Sequence, residues 1–437
     1  MDIKSIILKK RNKGELTKDE ILHFVGKYSK NEITEAQAGA LMSYIYSNGM
    51  TEDEIVNLAI SMSETGESIN LDEVFPDILD KHSTGGVGDK TTLILIPVLA
   101  ELGISVAKIS NREKGIFDGT IDKLESIPGY TANISMEEFV NNIKKNGIGI
   151  ISDASFLNPV ESKLYKLRNQ IACTDSLPII AASLMSLKLS TGCKKIIFEI
   201  SCGKGTYVKT KEEARRLAKL LIILGKRLKK DVNCVITDMG EPLGYSIGHN
   251  LEIQEAVMSL KGTIPEDLER VIVKLGSVAL QLVDGNKDMV ENERLIKEVL
   301  KSGKAYEKFK SMIVEQHGDT DYIENLELLD KAKHIMPVYA TEDGVLESID
   351  ADIVWSIAIY LGAGRMSNEH KIDRTAGIVL NKKICDVVRA GEVLAYIHTE
   401  EESKVMGATE NLKDAFKIKN KTDKKAVEQP MTLEIIT

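Results

Sequence analysis

Lys81-His82-Ser83-Thr84-Gly85-Gly86-Val87-Gly88-Asp89-Lys90-Thr91-Thr92 is the stretch whose reading decides the fold of this chain. A short extended segment, Ile78-Leu79-Asp80, runs into it. An apolar run, Leu93-Ile94-Leu95-Ile96-Pro97-Val98-Leu99-Ala100, follows and is closed by Gly103. The order is strand, glycine-rich turn, helix. Three glycines within four residues let the backbone approach a ligand closely, and the helix start offers amide groups and a positive dipole end. Lys81, Ser83 and Thr92 add a cation and two hydroxyls. A small, doubly charged oxyanion suits this set, and phosphate is the simplest. His82 beside it is a candidate proton donor or charge stabiliser. A plain tight turn has the same local pattern, because a lone glycine-rich loop is a weak signal.

Working outward, strand and helix patterns alternate from Ile78 to about residue 260, which predicts a mostly parallel sheet with helices on its faces. Val106-Ala107-Lys108-Ile109, Ile148-Gly149-Ile150-Ile151, Lys195-Ile196-Ile197-Phe198-Glu199-Ile200 and Val232-Asn233-Cys234-Val235-Ile236-Thr237-Asp238 read as strands. Helical spacing marks 163–168, 177–189, 212–227 and 264–282. Ligands on such sheets gather beyond the carboxyl ends of the strands. Ser83, Ser110 and Cys202 all fall there, so three loops can converge on one pocket. Upstream, residues 1–65 are helical throughout, with capping-box starts at Thr17-Lys18-Asp19-Glu20 and Thr51-Glu52-Asp53-Glu54. Residues 66–75 read as a linker. From about residue 340, Gly344-Val345-Leu346-Glu347-Ser348-Ile349 and Gly391-Glu392-Val393-Leu394-Ala395-Tyr396-Ile397-His398 are strands of a further α+β unit. Its Gly-Glu-Val-Leu hairpin is similar to a biotinyl or lipoyl half-barrel, but no lysine stands at a hairpin tip, so the role is structural. The fold class is α/β with a helical domain and a C-terminal α+β domain.

At 437 residues with a formal net charge of −9, the chain has room for two or three cores and lacks the basic balance of a nucleic-acid binder. Its five cysteines, Cys173, Cys193, Cys202, Cys234 and Cys385, show no C-x-x-C spacing, which points to reduced thiols in a cytoplasm. The start Met1-Asp2-Ile3-Lys4 has no apolar core of signal-peptide length, and no segment is long enough to span a bilayer. A soluble, cytoplasmic protein with neither nucleic-acid nor membrane partner is expected.

Beyond single loops, the chain resembles the thymidine/pyrimidine-nucleoside phosphorylase family along nearly its whole length. The matching residues are Lys81 to Asp89, then Gly119-Thr120-Ile121-Asp122-Lys123-Leu124-Glu125-Ser126-Ile127-Pro128-Gly129. Leu167-Arg168, Ser176-Leu177-Pro178-Ile179-Ile180-Ala181-Ala182-Ser183, Pro242-Leu243-Gly244 and Leu361-Gly362-Ala363-Gly364-Arg365 complete the set. The resemblance implies a helical domain of residues 1–65 plus about 163–190, which holds the base and forms a homodimer. It implies an α/β phosphate-binding domain of about 75–160 plus 191–335, and an α+β domain of 340–437. The substrates would be a nucleoside and inorganic phosphate, joined in reversible phosphorolysis to free base and (deoxy)ribose 1-phosphate. Lys81, Ser83, Thr92, Lys108, Ser110 and Thr120 would hold phosphate. Arg168 and Ser183 would hold the base, and His82 would face the glycosidic bond.

The sequence departs from that pattern mainly around the base. After Ser110 the family is glycine-rich, whereas this chain reads Asn111-Arg112-Glu113-Lys114-Gly115-Ile116-Phe117-Asp118. Four residues after Ser183, Leu187 stands where the family carries a lysine that contacts the pyrimidine. Lys188 is one position on, about 100° around a helix. The loop Ser201 to Tyr207 is altered from the family's small-residue and phenylalanine form, which makes Tyr207 a candidate base contact, and Lys114 is a candidate replacement charge. The expectation is retained phosphorolysis with either ordinary pyrimidine preference or a shift to another base, including a purine. Many family members hold potassium near Gly88, Leu243 and Ser246, with threonine at position 90 and glutamate at 255. Here Lys90 is expected to pair with Glu255 in place of the ion, so neither metal nor cofactor is required. Anthranilate phosphoribosyltransferase has a related architecture, but its magnesium-binding acidic pair has no counterpart here. A non-catalytic nucleoside sensor is the remaining alternative.

Overall fold

The structure, a computed structural model, describes residues 1–110, 119–152, 156–285, 288–365, 371–419 and 434–437. Four helices open the chain, Ile3–Arg11, Lys18–Ser29, Glu35–Asn48 and Glu52–Ser63. Thr17 and Thr51 close capping boxes with Glu20 and Glu54, and Thr34 closes another with Gln37. Each box satisfies two backbone donors that the first helical turn leaves unmade. Helices Pro159–Gln170 and Leu177–Thr191 bury Val160, Leu164, Leu167, Ile179 and Met185 in the same apolar cluster as the four N-terminal helices. The first of them begins four residues before the periodicity implies. Asn158 caps its start and Pro159 suits the first helical position, where no amide donor is needed.

The central sheet contains β1 (Leu79–Ser83), β2 (Val106–Ser110), β3 (Ile148–Ser152), β4 (Lys195–Cys202) and β5 (Asp231–Asp238). They run parallel in the order β5-β4-β1-β2-β3. β1 extends past Asp80 through Lys81, His82 and Ser83, which pair with Ile197, Phe198 and Glu199 of β4. The chain moves from β1 to β2 and β3 on one side, then crosses to β4 and β5 on the other. The strand order therefore reverses between β1 and β4, where such sheets leave a crevice for ligands. Helix Thr91–Glu101 is buried along almost its whole length against this sheet and helix Glu266–Val283.

Two short strands cross the expected domain limits. Glu434–Ile436 pairs antiparallel with β5, so the end of the chain joins the central sheet and not the 340–437 unit. It covers a sheet edge that would otherwise present unpaired backbone groups. Ser246–Ile247 pairs with Gly377–Leu380 in the C-terminal unit. That unit has two small sheets around a core that includes Trp355 and Leu346. Among the described residues, no helix is long and apolar enough to cross a membrane.

Candidate active site

A cleft opens at the carboxyl ends of β1 and β2, walled on the far side by helices Pro159–Gln170 and Leu177–Thr191. His82, Ser83, Thr84, Gly85, Asp89, Lys108, Ser110, Gly119 and Thr120 line its sheet side. Glu161, Tyr165 and Arg168 reach it from one helix at i, i+4 and i+7. Ile180, Ser183, Leu184 and Leu187 reach it from the other at i, i+3, i+4 and i+7. Both sets are single helical stripes. Tyr207 and Val208 close the cleft from the loop after β4.

His82, Ser83, Lys108, Ser110, Thr120, Arg168, Ser183, Leu187 and Tyr207 are thus brought together. Lys114 lies outside the described residues. Lys81, Thr92 and Cys202 do not line the cleft. The Lys81 ammonium is turned under the loop, 2.8 Å from Glu199 Oε2, and donates to the Thr91 and Thr92 hydroxyls at 2.7 and 3.1 Å. Both Lys81 and Glu199 are fully buried. Each holds the other in place, since a buried charge without a partner is costly.

The glycine loop needs left-handed backbone at Gly85 and Gly88, with φ of 82° and 75°. A Cβ at Gly88 would stand 2.6 Å from the Leu243 carbonyl oxygen, whereas Gly85 faces open space in the cleft. Asp89 is the residue that sequence reasoning missed here. Its Oδ2 accepts the Ser83 hydroxyl at 2.5 Å, and its Oδ1 accepts the Thr91 amide and hydroxyl at 3.0 and 2.6 Å. The helix therefore spends its first amide on Asp89 and not on a ligand. Burial alone would raise this carboxyl, but Lys81, Lys123 and the two hydroxyls pull it down to about 2.

Positive charge accumulates on the same side. Burial, with Lys188 and Lys81 close by, brings Lys108 down to about 7, and its amine donates to the Lys81 carbonyl at 3.1 Å. Burial and the cations Lys188, Lys108 and Lys81 hold His82 well below its usual value, so its imidazole is neutral. His82 Nδ1 has no hydrogen-bond partner among the described residues. A dianion in the cleft would offset all three cations and favour the protonated forms of both groups.

On the helical wall, Arg168 is buried with its guanidinium 5.2 Å over the Tyr165 ring. Its Nη2 lies 3.4 Å from Ser183 Oγ and 3.7 Å from Glu161 Oε1. The Ser183 hydroxyl donates to Glu161 Oε1 at 2.5 Å. Glu161 was also missed by sequence reasoning, although its seven-residue spacing from Arg168 places both on one face. The Tyr165 and Tyr207 hydroxyls stand 3.4 Å apart. Leu187 presents an apolar surface, and Lys188 leaves the stripe to meet Asp80 at 2.8 Å, both fully buried. The neighbouring oxygen cage holds the Lys90 ammonium, 2.6 Å from Glu255 Oε2 and 2.8 Å from the Leu243 carbonyl.

Known proteins give the same arrangement a family. Residues 75–306 match the glycosyl transferase family a/b domain, and residues 4–66 match that family's helical bundle domain. Residues 345–419 match the pyrimidine nucleoside phosphorylase C-terminal domain. The chain is 39% identical over 402 residues to the pyrimidine-nucleoside phosphorylase of Geobacillus stearothermophilus, covering 92% of this chain and 93% of that one. It is 39% identical over 403 residues to the protein of that name from Bacillus subtilis (strain 168), with the same two coverages. Anthranilate phosphoribosyltransferase from Thermus thermophilus shares the fold alone, with a TM-score of 0.57 and 18% identity, over 72% of this chain and 99% of that one. With its three regions matched in order and nearly its full length aligned to these relatives, the chain belongs to the pyrimidine-nucleoside phosphorylase family.

Proposed function

We propose that the protein catalyses reversible phosphorolysis of a pyrimidine nucleoside, giving the free base and a pentose 1-phosphate. The observation that carries this reading is a single cleft with anion-binding side chains on one wall and a buried arginine on the other. Lys108, Ser110, Thr120 and Ser83 hold phosphate, with Lys81 adding positive potential from beneath. A phosphate oxygen attacks the anomeric carbon as the bond to the base breaks. The electron pair of that bond passes to the base, and phosphate's own charge supports the cationic sugar. Arg168 faces the base and stabilises the charge that develops there. His82 lines the same cleft and stabilises that charge or returns a proton to the departing base. Fixed donors of this kind contribute about 10²–10³-fold each, and holding both reactants at near-attack distance adds further acceleration.

Leu187 removes one polar contact from the base pocket, so Arg168 and Ser183 do most of the recognition. Lys90 supplies the charge of a monovalent cation from within the chain, and the reaction needs neither added potassium nor another cofactor. The protein works in the cytoplasm as a homodimer joined through its helical unit, whose surface exposes Leu8 and Tyr46. A nucleoside panel assayed with phosphate or arsenate tests the reading. Uridine and thymidine should release base only when one of these anions is present. Binding without release would make the protein a sensor, and release from purine nucleosides alone would contradict the base assignment.

A further inference from the structure

Ser183 Oγ has one proton and two lone pairs, and the direction of that proton decides which ring edge it can meet. The proton goes to Glu161 Oε1 across 2.5 Å, the short distance typical of a hydroxyl on a carboxylate. Arg168 Nη2 lies 3.7 Å from the same oxygen, and at 3.4 Å it also approaches Ser183 Oγ. Asn158 caps the helix at Glu161, with its Oδ1 accepting the Glu161 amide at 3.3 Å. Asn158 Nδ2 donates to Ser186 Oγ at 2.9 Å, and Ser186 in turn donates to the Ser183 carbonyl at 2.8 Å. The two helices are therefore fixed relative to each other at this point. Both Glu161 and Ser183 are buried in the cleft wall.

We propose that Glu161 is a positioning residue that sets base specificity by holding the Ser183 hydroxyl proton away from the substrate, so that Ser183 presents a lone pair to the ring. This rests on the phosphorolysis reading above. A lone pair accepts from a ring N–H flanked by carbonyls, as in uracil and thymine. It repels a bare ring nitrogen, as in cytosine. Turning the hydroxyl round to meet cytosine would break its 2.5 Å bond to the buried Glu161 carboxylate. A site built to accept from a ring N–H rejects a ring that lacks it by up to about 10⁴-fold. Arg168 reinforces the choice by donating to a flanking carbonyl and having nothing to offer an amino group.

The test compares uridine with cytidine by kcat/KM and uracil with cytosine by calorimetric Kd. Wild type should favour the N–H-bearing member of each pair strongly. Glu161→Gln should shrink both ratios by about tenfold or more, because its amide can donate to Ser183 and release the hydroxyl. Glu161→Asp, which keeps the carboxylate, should retain more of the preference. In a Ser183→Ala background, Glu161→Gln should no longer change the ratio. A ratio unchanged in Glu161→Gln while both substrates weaken together would overturn the proposal, as would equal wild-type affinity for the two bases. If wild type released no base with phosphate, the phosphorolysis reading would fall, and the uracil-to-cytosine ratio would still judge Glu161.

Discussion

The Lys90 ammonium sits 2.6 Å from Glu255 Oε2, with the lysine side chain fully buried. Glu255 also accepts the Tyr245 and Ser246 amides at 2.8 and 3.2 Å. The pair joins the glycine loop to the 242–246 segment, and the proposal that it stands in for a monovalent cation makes a direct prediction. Activity should therefore be unchanged when potassium chloride is replaced by choline chloride. Lys90→Met should lower stability by about 3–5 kcal/mol, since it leaves the carboxylate buried without its cation. Lys90→Thr should melt at a higher temperature in potassium than in choline, a difference wild type lacks. A strong potassium requirement in wild type would refute the assignment.

Lys108 titrates near the working pH, brought down to about 7 chiefly by burial. Below that value it is already cationic. Above it, anion binding must bring in a proton. Sulfate keeps both its charges through this range and so isolates the protein's titration. Its affinity should fall by up to about tenfold per pH unit above neutrality, with proton uptake visible by calorimetry. Lys108→Arg should flatten the dependence. Without an anion, the folded state binds fewer protons than the unfolded chain between about 7 and the ordinary lysine value. Stability should therefore rise with pH across that window.

Asp89 acts in a more acidic window, where stability likewise rises with pH. Its carboxyl is held at about 2 by Lys81, Lys123 and two hydroxyls despite burial. Its contribution is present above the ordinary aspartate value and is lost as pH falls toward 2. A group lowered this far contributes about 2 kcal/mol at neutral pH. Asp89→Asn should remove that part of the acid limb in a pH-dependent unfolding series. It should also weaken sulfate binding by loosening Ser83.

Arg168 is the only cation on the helical wall among the described cleft residues. Arg168→Lys should lower kcat/KM for uridine by about 10²–10³-fold, since an ammonium cannot reproduce the planar fork. Sulfate affinity should stay near wild type, because the anion lies across the cleft.

Much of this was readable in the residues. Apolar runs marked the strands from β2 to β5, β1 showed only as the short extended segment Ile78-Leu79-Asp80, and Thr17 and Thr51 announced their helices by side-chain chemistry alone. The convergence of Ser83 and Ser110 followed from where strands end in a parallel sheet. Asp89 and Glu161 were not readable as site residues, because a carboxylate in a loop or first helical turn usually faces water. Glu161 gains its hydroxyl partner only when two helices pack, and Asp89 gains Ser83 only when the glycine loop folds back on itself. Lys81 looked like an anion ligand until β4 placed Glu199 beneath it. The pairing of Glu434–Ile436 with β5 joins segments nearly 200 residues apart, and three residues carry too little pattern to announce it.

The most direct test of the central claim follows inorganic phosphate by phosphorus NMR while the purified protein acts on uridine. The phosphate signal should decline as a pentose 1-phosphate signal grows, in step with one uracil released per phosphate consumed. Uracil released while the phosphate signal stayed constant, or no release with phosphate in excess, would contradict the account.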